Sequence, residues 1–352
     1  MEILGLVICI VGALCVGSMS PLATKIGGTP LQKTCGISVA SLLVGTVIFA
    51  IEMGLGFTYL TWGGMVVFIV SMLNGLFMFL GLTFLFKSIK IADVAKAVPI
   101  NNIGQFLSAT LVSAFFFGNW LGDNAGVKIL YGFIFIAIIL VGIILISIYP
   151  GGKSEVLPAG MVEAITVQTK TKNTINSKFF LYEFISIGSL FMLFFTPELI
   201  ANFNNETSWL FLNNPNLVIP NTDKFMDGFD LGMSFPMGIG FFLSSFVALF
   251  IHSKKVHVSY FVIFKDKKIW RNILPGMLQA IWNVALIVSV SMIGGSIASP
   301  LSQISTASAM LLGIFYLKEK REKPYLCTTL IGCGLILLGV FMATIMNFEL
   351  HL

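Results

Sequence analysis

Ala97-Val98-Pro99-Ile100-Asn101-Asn102-Ile103 and Ala298-Ser299-Pro300-Leu301-Ser302-Gln303-Ile304 share one pattern: a proline, an apolar residue, two polar side chains and an isoleucine. They lie 201 residues apart, and the same ungapped offset aligns Gly75 with Gly276 and Ser88 with Ser289. A match sustained at a fixed offset marks an internal repeat. Both copies sit inside apolar stretches long enough to cross a bilayer, which takes ~20 residues at ~1.5 Å rise each. Ten such stretches run along the chain, at 3–23, 35–51, 63–86, 97–117, 129–149, 179–197, 232–252, 273–292, 296–317 and 326–346. Five per copy is odd, so the second copy enters the membrane from the opposite face. The expected fold is an all-α membrane protein of ten transmembrane helices in two inverted five-helix repeats.

The charges orient this arrangement. Nineteen of the twenty-one Lys and Arg residues fall in every second gap between apolar stretches, and only Lys128 and Lys224 fall in the others. Basic residues are retained on the cytoplasmic side during insertion, so both chain ends are expected to be extracytoplasmic. With 57% hydrophobic and 11% charged residues, the chain has too little polar surface to cover a soluble globule. Lipid must be the solvent for most side chains, and a multi-pass protein of the cell membrane is expected. The net charge of +5 is divided among five short loops, which is the signature of orientation and not of a nucleic-acid partner. Cys9, Cys15, Cys35, Cys327 and Cys333 all lie within or at the edge of apolar stretches and form no Cys-x-x-Cys pair, so they read as small apolar side chains. The first stretch follows Met1-Glu2 with no basic flank, which reads as a retained helix and not a cleaved leader. The domain reading is a first repeat at 1–149, a cytoplasmic linker at 150–178 opening on Pro150-Gly151-Gly152, and a second repeat at 179–352 carrying an acidic outer loop at 198–231. Asn205-Glu206-Thr207 in that loop matches a glycosylation acceptor pattern.

Polar side chains at membrane depth are costly, and a helix with several of them faces a bundle interior or a wet cavity. The fourth stretch has Asn101, Asn102 and Gln105, the eighth Gln279, Trp282 and Asn283, the ninth Ser299, Ser302, Gln303 and Ser305. Three- and four-residue spacings put Asn101, Asn102 and Gln105 on one helical face, and Ser299, Ser302 and Gln303 repeat that spacing. Amides and hydroxyls both donate and accept, which is what a sugar hydroxyl needs, and Trp282 offers a flat face on which a pyranose ring can stack. The competing reading is that these side chains only bond across helices. Pro99 and Pro300 each remove a backbone donor inside their helix and free an upstream carbonyl. Carboxylates that would carry a proton are few: Glu52, Asp93 and Glu183, each near a stretch end, where a solvated end charge is the plainer reading. Neither a catalytic set nor a metal-ligand spacing stands out, so no enzyme, metal or cofactor is expected.

Several stretches are similar to the glucose/ribose porter family of sugar-uptake permeases, within the drug/metabolite transporter superfamily. They are Lys25-Ile26-Gly27-Gly28-Thr29-Pro30 with Gln32, Thr34 and Gly36; Gly75-Leu76-Phe77, Lys87-Ser88-Ile89 and Val94-Ala95-Lys96-Ala97-Val98-Pro99 with Gln105 and Gly118-Asn119-Trp120; and Asn272-Ile273-Leu274-Pro275-Gly276, Asn283, Leu301-Ser302-Gln303, Gly313-Ile314-Phe315 and Leu317-Lys318-Glu319-Lys320. The resemblance implies uptake of a monosaccharide, often with protons, through a cavity between the repeats. It points to Gln105, Asn283, Ser302 and Gln303 as substrate contacts and to Pro99 as the residue that shapes the fourth helix. The chain departs from the family pattern at Met78 and Leu82, where Trp and Gln are usual. It departs again at Gln279, where Trp is usual, and at Trp282, which replaces a Gly. The expectation is a secondary transporter for a glucose-like hexose or a pentose. The alternatives are a superfamily carrier for another metabolite and a scaffold that transports nothing.

Overall fold

The structure, a computed structural model, describes residues 2–54, 59–60, 62–117, 125–147, 177–203, 232–293, 295–318 and 323–349. The 150–178 linker up to residue 176, the outer loop from residue 204 onward, the Asn205 acceptor pattern and Gly118-Asn119-Trp120 lie outside the described residues.

The described residues are helical throughout their ordered elements. In chain order they are α1 (Glu2–Ile26), α2 (Pro30–Gly54), α3 (Trp62–Ala92), α4 (Val94–Leu111), α5 (Ala125–Ser147), α6 (Ser177–Phe203) and α7 (Ser234–Lys255). The short α8 (Tyr260–Phe264) and α9 (Lys267–Arg271) follow, then α10 (Ile273–Ile293), α11 (Gly295–Ser302), α12 (Ile304–Phe315) and α13 (Lys323–Glu349). Among the described residues each expected stretch falls on helix, and seven helices are long and apolar enough to cross a membrane alone: α1, α2, α3, α5, α6, α7 and α10. Their outer faces are apolar. On α2, for example, Leu43, Val47 and Ile51 form an exposed stripe one helical turn apart, a face suited to acyl chains and not to water.

The helices pack as pairs drawn from the two halves of the chain. α1 lies against α10 and α12, α3 against α6 and α7, α2 against α7 and α10, α4 against α6, α11 and α12, and α5 against α13. Lipid offers no hydrophobic drive for such contacts, so close backbone approach must supply dispersion energy. At the α5–α13 crossing Gly142 and Gly332 face each other, and a Cβ on Gly142 would stand 2.7 Å from the Gly332 carbonyl oxygen. Any larger side chain there forces the two backbones apart.

Among the described residues, three of the basic gaps, the first, seventh and ninth, meet at one end of the bundle. Gln32 Nε2 donates to Asp266 Oδ2 at 2.8 Å, joining the first gap to the seventh, and Asn272 Nδ2 donates to the Gly27 carbonyl at 3.2 Å. Lys25 Nζ lies 3.7 Å from the ring centre of Tyr316, at the ninth gap. The first gap can turn so tightly because Gly27 and Gly28 take φ values of 82° and 106°, a region that side chains with a Cβ avoid. At the other end of the bundle Tyr59 Oη donates to the Gly232 carbonyl at 2.6 Å.

Three expectations need correction. The ninth stretch is not one helix: α11 stops at Ser302, and Gln303 stands between it and α12. Pro300 has no amide hydrogen, and the chain tightens to three-residue bonds, with Gln303 N donating to the Pro300 carbonyl and Thr306 N to the Gln303 carbonyl, both at 2.9 Å. The fourth stretch keeps its helix past Pro99 but ends in a π-helical turn at Val112–Phe116. The seventh gap, expected as a loop, holds the helices α8 and α9 and an aromatic cluster of Phe246, Tyr260, Phe264 and Trp270.

Candidate functional site

A cavity of about 60 Å³ lies where α1, α3, α4, α6, α10, α11 and α12 converge. That is several times the ~10–15 Å³ one water needs, so its walls can be wetted. None of the side chains lining it is ionisable.

Six residues expected as substrate contacts line it: Asn102, Gln105, Gln279, Trp282, Ser302 and Gln303. The break between α11 and α12 explains the last two, because an interrupted helix turns side chains and backbone groups towards one point. Gln303 Nε2 donates to Ser302 Oγ at 3.1 Å, and Thr306 Oγ1 donates to Gln303 Oε1 at 3.2 Å. Asn102 reaches across from α4, its Nδ2 donating to Thr306 Oγ1 at 2.9 Å and to Ser305 Oγ at 3.3 Å. Asn102, from the pair that follows Pro99, and Ser302 and Gln303, which follow Pro300, therefore share the cavity wall, with Thr306 bonded to both Asn102 and Gln303.

Asn101 and Asn283 stand behind the lining. Asn283 Oδ1 accepts from Gln279 Nε2 at 2.9 Å, and Asn283 Nδ2 donates to Met78 Sδ at 3.5 Å. Held this way, Gln279 keeps Oε1 buried and without a hydrogen bond among the described residues. An orphaned acceptor of that kind costs ~1–3 kcal/mol. Asn101 is fully buried; its Nδ2 donates to Ser186 Oγ at 2.7 Å and to Glu183 Oε2 at 3.1 Å, while its Oδ1 accepts from Gln105 Nε2. The Ser299 side chain lies outside what the structure describes. The Trp282 ring is buried against Gly12 of α1, with one side on the cavity.

Sequence reasoning missed the rest of the lining. α1 supplies Val16, Gly17, Met19 and Ser20, α3 Leu82 and Leu85, α4 Val98, and α6 Leu190, Leu193 and Phe194, while Ser305 of α12, a polar residue noted in the ninth stretch, lines the cavity too. Among the missed residues Ser20 is the polar one; it adjoins Pro21, a further proline inside a helix, which was the available signal.

The carboxylates do not sit as expected. Glu52 and Glu183, read as solvated end charges, are 1% and 2% exposed. The reason is packing: α2 runs on to Gly54, and α3 and α4 close over the first turns of α6. Glu52 lies near Tyr59, whose phenol is pushed above its ordinary pKa by burial and further by that negative charge. Asp93 is half-buried in the one-residue turn between α3 and α4, with φ 65° and ψ 164°.

Comparison with known proteins places this geometry. The profile of the sugar transport protein family matches residues 7–193 and 217–346. The chain is 27% identical over 334 residues to the glucose uptake protein GlcU of Bacillus subtilis, covering 94% of this chain and 95% of that one. It is also 27% identical over 325 residues to a Staphylococcus epidermidis protein named for ribose uptake, RbsU, with 92% of each chain covered. A solved structure of 13% sequence identity superposes with a TM-score of 0.50 over 97% of this chain and 98% of its own, so the fold recurs outside close relatives. With residues of both halves inside the matched ranges, the chain is a multi-pass integral membrane protein of the cell membrane and belongs to the sugar transport protein family.

Proposed function

We propose that the protein is a secondary carrier that takes up a monosaccharide, a glucose-like hexose or a pentose, by alternating access of two inverted five-helix repeats, with protons as the coupling ion. The observation that carries this reading is an uncharged cavity at the broken helix, rimmed by amides and hydroxyls, one of whose lining residues, Gln279, has an acceptor without a hydrogen bond among the described residues. A neutral polyhydroxylated solute supplies the missing donors; an ionic one finds no countercharge on the lining.

The helix pairing supports inversion. Exchanging each helix of the first half with its counterpart in the second turns the α1–α10 contact into α6–α3, α2–α10 into α7–α3, and α1–α12 into α6–α4, all of which occur. The contacts α2–α7, α4 with α11 and α12, and α5–α13 map onto themselves. The lining follows the same rule: Val16, Met19 and Ser20 of α1 correspond at one constant separation to Leu190, Leu193 and Phe194 of α6. A substrate on such an axis meets the same groups when the halves trade conformations. With three of the basic gaps gathered at one end, that end is assigned to the cytoplasm and the chain termini to the other side.

Carriage of another neutral metabolite is the second reading, favoured by the departures at Met78, Leu82, Gln279 and Trp282 from the family pattern. Proteoliposomes preloaded with unlabelled sugar decide between them. Counterflow of labelled glucose or ribose above protein-free vesicles is the expected result, and its absence for every monosaccharide tried refutes the proposal.

A further inference from the structure

We propose that Glu183 is a proton-binding site wired to the sugar cavity through Asn101 and Gln105. The inference rests on the carrier reading above and assigns its coupling proton to one residue.

Three observations carry it. First, the carboxyl is sealed inside the helix bundle. It is 2% exposed, with Oε2 held by Asn101 Nδ2 at 3.1 Å. Oε1 is buried beside the Ser88 hydroxyl, and neither has any other hydrogen-bond partner among the described residues. That hydroxyl suits both protonation states: it donates to an ionised oxygen and accepts from a carboxylic acid. The ionisable side chains on helices packed against α6 are Lys87 and Lys90 of α3 and Lys96 of α4, while α10 and α11 carry none. On α6 itself Lys178 and Tyr182 are nearby in sequence. Lys87 is turned to aromatic faces, with Nζ 4.1 Å from the Phe84 ring centre and 5.5 Å from that of Tyr182. The immediate hydrogen-bonding neighbours of the carboxyl are therefore neutral, and a proton is the small cation that fits beside it.

Second, the fold does not require an acid at this position. The counterpart of Glu183 on α1, at the separation that pairs the lining residues, is Cys9. Cys9 stands beside Ser289 as Glu183 stands beside Ser88, and Ser88 and Ser289 are themselves partners in the repeat. In the first half that niche is filled by a thiol whose Sγ donates to the Ala298 carbonyl at 3.7 Å. A carboxylate in the second half is thus an addition to the packing scheme and not a part of it.

Third, the acid is connected to the site. Gln105 lines the cavity and donates to Asn101 Oδ1, and Asn101 donates to Glu183 and to Ser186, which is itself fixed on the Gly81 carbonyl at 2.8 Å. Two hydrogen bonds separate a sugar hydroxyl bound by Gln105 from the carboxyl. A planar amide passes a reorientation at one end to the other, so sugar occupancy and proton occupancy bias each other, as linkage requires.

The test compares wild type with Glu183→Gln, which keeps an oxygen for Asn101 but cannot ionise. In proteoliposomes the wild type is expected to accumulate sugar when a pH gradient is imposed. Glu183→Gln is expected to lose that accumulation while retaining counterflow that no longer varies with pH. Gradient-driven accumulation by Glu183→Gln, or counterflow without gradient response in the wild type, overturns the proposal and leaves the carrier reading intact. Absence of counterflow in the wild type overturns the carrier reading instead. An infrared titration of purified protein tests the proton site without sugar or transport: a carboxylic-acid carbonyl band should appear on acidification and be missing from Glu183→Gln. An identical band in both proteins overturns the assignment even if the variant transports poorly.

Discussion

The two walls of the cavity occupy corresponding places in the two halves yet differ in chemistry. The wall of α1 and α10 presents Ser20, Gln279 and Trp282 beside the apolar Val16 and Met19, whereas that of α3 and α6 presents only apolar side chains, Leu82, Leu85, Leu190, Leu193 and Phe194. Residue by residue, Ser20 answers Phe194 and Asn283 answers Leu82. A pyranose or furanose has the same division, hydroxyls around its rim and C–H groups on its faces. On the carrier reading proposed above, polar groups concentrated on one wall and an apolar face on the other would orient the ring, which two identical walls would leave free to tumble. The charge is divided differently again: Glu183 stands behind the apolar wall, where its counterpart is Cys9.

Breaking the comparison at its heaviest point gives the largest effect. Trp282→Ala removes the one aromatic face on the polar wall and leaves a void against Gly12. Large-to-small aromatic changes cost ~3–5 kcal/mol in packed interiors, so counterflow should fall by about a hundredfold and the melting temperature in detergent should drop, with Trp282→Phe recovering most of the stability. Gln279→Leu makes the polar wall resemble its partner. The loss of a bond made to a buried acceptor, ~1–3 kcal/mol, corresponds to roughly ten- to hundredfold weaker sugar binding, to be read as a raised half-saturation concentration. Phe194→Ser copies Ser20 onto the apolar wall and should weaken binding several-fold, ~1 kcal/mol, while narrowing the preference for glucose over its deoxy analogues. Cys9→Ala, the control for Glu183, should leave both uptake and its pH dependence within about twofold, since one weak sulfur hydrogen bond is at stake. Asp93→Gly copies its repeat partner Gly294 and relieves a positive φ; a gain of about 1 kcal/mol in unfolding stability, with no change in uptake, is expected.

What the sequence made legible depended on which signals lipid leaves intact. The alternation of basic gaps survives because charge must stay out of the hydrocarbon, and the paired Pro99 and Pro300 survive because a missing amide has consequences in any solvent. Asn102, Gln105, Gln279, Ser302 and Gln303 could be found since amides and hydroxyls are conspicuous among apolar neighbours. Leu82, Leu85, Leu190 and Leu193 could not be, because in a membrane helix the faces towards lipid, core and cavity are all apolar and periodicity does not separate them. The break at Gln303 was equally hidden, as Pro300 announces a lost hydrogen bond but not the residue at which the chain resets. Glu183 was misread because burial there is imposed by α3 and α4, which no reading of α6 alone can foresee.

Whether sugar sits between these two walls can be asked of Ser20, a small lining residue on the polar side. With the five native cysteines replaced by Ala or Ser and Ser20→Cys introduced, in a variant that still performs counterflow, the rate of maleimide labelling is measured with and without saturating substrate. The account predicts that the transported sugar slows labelling in proportion to site occupancy, while a sugar that is not transported has no effect. Labelling at one unchanged rate, with the transported sugar present at saturation, would contradict it.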